Sequence, residues 1–275
     1  MKWKTVLVHL DDSQRCDARM QFALDIARRF DAHVIGLYLV CQDVIHHIFE
    51  PAEPLFRRAY EQQRRTALDH ARETFELAAK SAGINAEWRA PAGPVLDAAL
   101  LHGRHADVIV LGQDDPDDAT AFVVRNFVED VVIGAGRPVL LVPRAGDIRT
   151  VGENVVIAWD DSREAARAVA DALPVLRRAR FIEIVTVERN KDVQAPAGID
   201  ISAYLDRQGV RASFASTPRS RGQSTGMTLL DRANAVHADL LVAGAYAHAR
   251  GLERVLGGVT RNILQLSTLP VLLSH

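Results

Sequence analysis

The chain has 275 residues, the length of two domains at ~100–200 residues each. Its 48% hydrophobic, 25% charged and 6% aromatic content excludes a disordered, collagenous or disulfide-built protein. A formal charge of −2, from 33 basic and 35 acidic residues, excludes a broad electrostatic grip on nucleic acid and argues against a polybasic membrane patch.

The first residues carry Lys2 and Lys4, but their apolar run ends at Asp11-Asp12, too short for the core of a signal peptide. No run of ~18 apolar residues follows, so the expectation is a cytoplasmic protein with no membrane segment. The two cysteines, Cys16 and Cys41, are too few for a disulfide framework or a cysteine-built zinc site and read as free thiols. Thr5–Leu10 reads as a buried strand ending at Asp11-Asp12-Ser13, whose oxygens suit a helix N-cap. Phe22, Ala23, Ile26, Ala27 and Phe30 then give the apolar face of a helix. A second strand, His33–Val40, is followed by a long helical stretch from about Glu53 to Ser81. Its stripe of Phe56, Tyr60, Ala67, Leu68, Ala71, Phe75 and Ala78 is expected to cover a sheet. A third strand, a helix, a fourth strand ending at Gly112, a last helix and a strand at Val139–Val142 complete this half.

The chain then repeats itself. Val6-Leu7-Val8-His9-Leu10-Asp11-Asp12-Ser13 returns as Val155-Val156-Ile157-Ala158-Trp159-Asp160-Asp161-Ser162. Ala106–Gly112 returns as Ala238–Gly244, and Arg137–Val142 as Leu269–Ser274. The last two blocks recur at one spacing and the first at a longer one, so the extra residues of the first copy lie between its first and second blocks. The polar stretch Arg144 to Asn154 is the natural linker, giving domains at 1–146 and 152–275. In the second copy, Asn154–Trp159 and Phe181–Val187 read as strands, Ala165, Ala168, Val169, Ala172 and Leu176 as a helix face, and Ser202–Gln208 as a shorter helix. Alternating strands and helices imply an α/β fold: in each domain an open, mostly parallel five-stranded sheet with helices on both faces. Ligands then bind beyond the carboxyl ends of the strands, at the topological switch.

In the second copy that rule brings the end of the first strand, Trp159-Asp160, beside the end of the fourth, Ala243-Gly244. The loop after Gly244 runs through Tyr246 and Ala247 to Gly257-Gly258-Val259-Thr260, where a helix begins. A Gly-Gly at a helix entrance exposes backbone N–H groups to an anion, so no Walker-type lysine is required; the sequence has no Gly-Lys pair. A glycine turn in a surface loop is the alternative from spacing alone.

These stretches, with the closing Leu-Pro-Val-Leu-Leu, resemble the universal stress proteins in their tandem-domain form, over essentially the whole chain. Nucleotide-binding members carry Gly-x2-Gly-x9-Gly-(Ser/Thr) after the fourth strand and an Asp after the first. The resemblance implies an ATP site, with ADP or AMP as alternatives and Mg2+ accompanying the nucleotide. Its residues would be Trp159, Asp160, Val187, Ala243, Gly244, Tyr246, Ala247, Gly257, Gly258, Val259 and Thr260. Val187 would lie on the adenine side. Two positions depart from the pattern: Ala247 stands for the second glycine and Gly258 for the Ser/Thr, with Thr260 offering a hydroxyl two residues on. The lost hydroxyl costs about 1.5–3 kcal/mol, and an alanine forced left-handed about 1–2 kcal/mol. The first copy instead has Asp114, Asp115, Asp117 and Asp118 after Gly112, and Arg125-Asn126 in place of Gly257-Gly258; it is expected not to hold ATP.

The resemblance further implies a stress-response protein acting through contacts with protein partners of unknown identity, an intramolecular pseudo-dimer with a homodimer also open, and at most slow ATP hydrolysis. No catalytic or metal residue stands out. The alternatives are an interaction module that binds no nucleotide, and a hydrolase built on Gly222-Gln223-Ser224-Thr225-Gly226. That segment matches a nucleophile elbow, but Thr217–Arg221 separate it from the preceding strand. The Ser-Gly-Gly-x-Asp loop of related small-molecule enzymes is missing after both first strands.

Overall fold

Runs of valine, leucine and isoleucine, buried on both sides, make parallel strands in each half of the chain. The computed structural model describes residues 2–40, 54–121, 123–188, 199–219, 222–246 and 258–275. The chain divides into two compact units, residues 3–131 and residues 132–275, the latter with residues 1–2.

In the 3–131 unit the order is β1 (Thr5–Leu10), α1 (Cys16–Phe30), β2 (His33–Tyr38), α2 (Pro54–Ala82), β3 (Ala86–Arg89), α3 (Val95–Gly103) and β4 (Val108–Gly112). The parallel sheet runs β3-β2-β1-β4, with Leu7 opposite Ile35 and Ile109. The stripe of α2 covers sheet at Phe75, which is fully buried and whose ring a Cβ on Gly36 would approach within 2.8 Å; the side chains of Phe56 and Tyr60 lie outside the described residues. Helix α4 (Phe127–Gly134) runs across the division.

The 132–275 unit holds β5 (Val139–Val142), β6 (Asn154–Ala158), α5 (Arg163–Leu176), β7 (Phe181–Glu188), α6 (Ile199–Arg207) and β8 (Ser213–Pro218). It continues with α7 (Thr225–Ala235), β9 (Leu240–Gly244), α8 (Gly258–Leu266) and β10 (Val271–Ser274). Its sheet runs β5-β10-β9-β6-β7-β8. From β6 the chain moves outward to β7 and β8, then returns to β9 on the other side, so the switch lies between β6 and β9. β5 pairs antiparallel with β10, Leu140 facing Leu272.

The repeated Ala-Asp block has a structural cause. Asp107 accepts from the amides of Lys4 (2.7 Å) and Thr5 (2.9 Å), and Asp239 from those of Glu153 and Asn154 (both 3.0 Å), so each aspartate satisfies the entry of the adjacent strand. The Asp-Asp-Ser caps are not alike. Ser162 caps α5, its Oγ accepting from the Ala165 amide at 3.1 Å. Ser13 does not cap α1, which starts three residues later; its hydroxyl donates to Asp11 instead. Among the described residues no helix is long and apolar enough to cross a membrane.

Candidate functional site

In the 132–275 unit, β6 and β9 part at their carboxyl ends. Trp159 continues β6, its amide donating to Val185 O at 2.9 Å. Asp160 follows, exposed, its Oδ1 accepting from the Ser162 amide (3.2 Å) and hydroxyl (2.6 Å). The Trp159 indole N–H donates to Asp161, which sits in the left-handed region at φ 60°. Val187 is half-buried near the end of β7.

On the other side of the crevice, Ala243 is buried and Gly244 ends β9. A Cβ on Gly244 would lie 2.5 Å from Ala165 N and Glu164 C, so glycine here lets the start of α5 pack flush on the strand. Gly258 is the opposite case: it is exposed at the start of α8, and a Cβ there meets nothing described within 4 Å. The first-turn amides of α8 lack intrahelical partners by geometry, which makes this entrance suited to an anion. Val259 is half-buried and Thr260 buried, its Oγ1 accepting from the Tyr246 amide at 3.2 Å. The Thr260 oxygen is thus already engaged inside the fold. Ala247 and Gly257 lie outside the described residues.

The 3–131 unit fills the same crevice with its own side chains. Arg19, on the core face of α1, lies against Gly112, where a Cβ would be 2.3 Å from Nη1. Its guanidinium donates to His9 O (2.7 Å) and Asp11 Oδ1 (2.6 Å), and both Arg19 and Asp11 are under 7% exposed. Burial alone would raise the Asp11 carboxyl, but Arg19, His9 and Ser13 together hold it below the ordinary value. His9 Nε2–H donates to Leu39 O at 2.9 Å, and burial lowers its pKa from 6.5 to about 4, leaving the ring neutral. Strand register makes Ala158 the counterpart of His9 and Val187 that of Leu39. The second copy thus has an alanine where the first has a histidine.

The acidic loop after Gly112 is partly wired into the fold. Asp118 accepts from the Gln14 amide at 2.8 Å and from the Thr120 amide at 3.0 Å. Enclosure by the surrounding chain and the Glu129 charge push the Asp114 carboxyl up, to about 6, although the residue remains exposed at the surface. Among the described residues no group of three or more metal-ligating side chains occurs.

The Gly222-x-Ser224-x-Gly226 segment has structural causes throughout. Gly222 turns at φ 83°, Ser224 caps α7 by accepting from the Met227 amide, and a Cβ on Gly226 would lie 2.7 Å from Asn262 Cβ. Sequence reasoning missed Arg19, His9 and Glu164. Glu164 is a buried carboxylate at the start of α5, paired with Arg163, which offsets the upward pull of its burial.

A model of the Universal stress protein family matches residues 2–143. A universal stress protein from Archaeoglobus fulgidus DSM 4304 superposes with a TM-score of 0.70 at 17% identity, over 98% of this chain and 97% of that one. A functionally unknown protein from Pseudomonas aeruginosa PAO1 does so at 0.62 and 14% identity, over 99% and 92%. Among curated protein sequences none matches.

Proposed function

Because the chain belongs to the universal stress protein family, we propose that its 132–275 unit binds an adenine nucleotide at the carboxyl ends of β6 and β9, in a protein that serves stress response through contacts with other proteins. ATP is the form proposed, with ADP and AMP sharing the same anchoring chemistry and Mg2+ arriving with the phosphates. The observation that supports the reading is the contrast at the two strand ends: Ala158 and an exposed Asp160 stand where the 3–131 unit holds His9 and a buried Asp11, and Gly257-Gly258 stand where it holds Arg125-Asn126. Asp160 is placed for ribose hydroxyls, Val187 for the base edge, and the amides at Gly258 and Val259 for phosphate. The 3–131 unit is then a non-binding partner in a tandem protein.

The test is direct. The purified protein is denatured, released nucleotide is identified by chromatography, and ATP affinity is measured by titration calorimetry on the full chain. Gly258→Leu places a side chain where a Cβ meets no described residue within 4 Å, so the fold is expected to be kept, which circular dichroism checks, and affinity to drop by roughly tenfold or more. Unchanged affinity in a folded Gly258→Leu protein removes the site from α8. No released nucleotide and no heat with added ATP makes the chain an interaction module.

A further inference from the structure

The turn Gly244–Tyr246 is held from every side. Gly244 packs against the start of α5. The Ala245 amide donates to Ser274 O at 2.8 Å, and its carbonyl accepts from His275 Nδ1 at 3.0 Å. Tyr246 sits at φ 63°, a left-handed conformation costly for a residue with a Cβ, with its ring buried and edge-on to the His275 ring at 6.3 Å. Its amide points into the protein and is received by Thr260 Oγ1, itself 4% exposed. One buried hydrogen bond therefore joins the end of β9 to the first turn of α8, fourteen positions on.

We infer that Thr260 is a positioning residue for the nucleotide site: its hydroxyl oxygen sets the distance between the carboxyl end of β9 and the N-terminal turn of α8. This rests on the nucleotide reading above and names the side chain that makes the site rigid. Its role is as acceptor rather than as a ligand of phosphate. A valine has the same shape but no acceptor, and would remove the partner that Thr260 gives the Tyr246 amide. The left-handed turn would then relax and the two anchoring stretches move apart. A serine keeps the acceptor.

The experiment compares Thr260→Val and Thr260→Ser in the full chain, with Thr228→Val as control. Thr228 is another buried threonine whose hydroxyl bonds within its own helix, to Ser224 O. Expected is about tenfold weaker ATP binding for Thr260→Val, near-normal binding for Thr260→Ser, and no change for Thr228→Val. Amide hydrogen exchange reads the clamp without ligand: the Tyr246 amide is protected in the parent and in Thr260→Ser, and exchanges quickly in Thr260→Val. The inference is overturned if the parent Tyr246 amide exchanges freely, if Thr260→Val protects it equally well, or if Thr260→Val binds ATP like the parent. A parent that binds no ATP sinks the nucleotide reading, and the exchange comparison still decides the clamp.

Discussion

The two crevices descend from the same repeated motif and differ in what occupies them. At Asp11 the 3–131 unit holds a buried carboxylate locked by Arg19, with His9 turned onto the Leu39 carbonyl. At Asp160 the 132–275 unit holds an exposed carboxylate bonded only to the neighbouring Ser162 among its recorded partners. The sheet positions both alike, and helix-face and strand-end residues decide which is available. In the 3–131 unit the crevice is filled from within, by side chains that bond the backbone carbonyls of His9 and Leu39.

The sharpest way to break the comparison is Arg19→Ala. It leaves Asp11 charged and buried without its partner, a loss of about 3–5 kcal/mol. Denaturant unfolding should show the transition of the 3–131 unit moved to lower concentration. An unchanged midpoint would mean that Arg19 is dispensable and the crevice closed by other means.

Second in size is a pH effect confined to the same unit. His9 has a folded pKa of about 4 against 6.5 when unfolded, so between those values the unfolded chain binds the extra proton. Stability therefore rises with pH across that window, by about 3 kcal/mol in full. Asp114, raised to about 6, acts oppositely from its ordinary value up to about 6, because its folded carboxyl keeps a proton the unfolded one releases. His9→Gln, which keeps a donor for Leu39 O, separates the two: the difference in unfolding free energy between parent and variant should change between pH 4 and 6.5. A constant difference contradicts the neutral buried imidazole.

Smaller still is the contrast between two glycines of the 132–275 unit. Gly244→Ala drives a methyl against the α5 backbone and should cost about 1–3 kcal/mol. Gly258→Ala meets open space and should leave the melting temperature level or raise it slightly. Equal effects would show that the two positions are packed alike.

Much of the architecture could be read from residues. The repeated apolar runs, the first of each half closed by Asp-Asp-Ser, carried the strands of both halves, and the α2 stripe carried the docking seen at Phe75. Asp107 and Asp239 recurred visibly, although their task of receiving strand amides needed coordinates. The occupants of the first crevice were harder to see. Arg19 lies three and four positions before Phe22 and Ala23, on the apolar face; a lone arginine in such a stripe is the signal, weak because long basic side chains usually extend to solvent. His9 sat inside a strand that reads as buried, yet only the register shows that it reaches Leu39. Ser13 and Ser162 close the same Asp-Asp-Ser block and both donate to its first aspartate, but only Ser162 caps a helix, because α5 starts at the next residue and α1 three residues on. Thr260 could be seen as a hydroxyl near the glycines, but its partner is an amide fourteen residues earlier whose direction depends on a left-handed turn.

The lock on the first crevice also works as an evolutionary ratchet. With Arg19 and Asp11 buried together, replacing either one alone strands a charge in the interior, so no single substitution reopens the pocket without endangering the fold that carries it. Opening the first crevice therefore needs paired changes at Arg19 and Asp11.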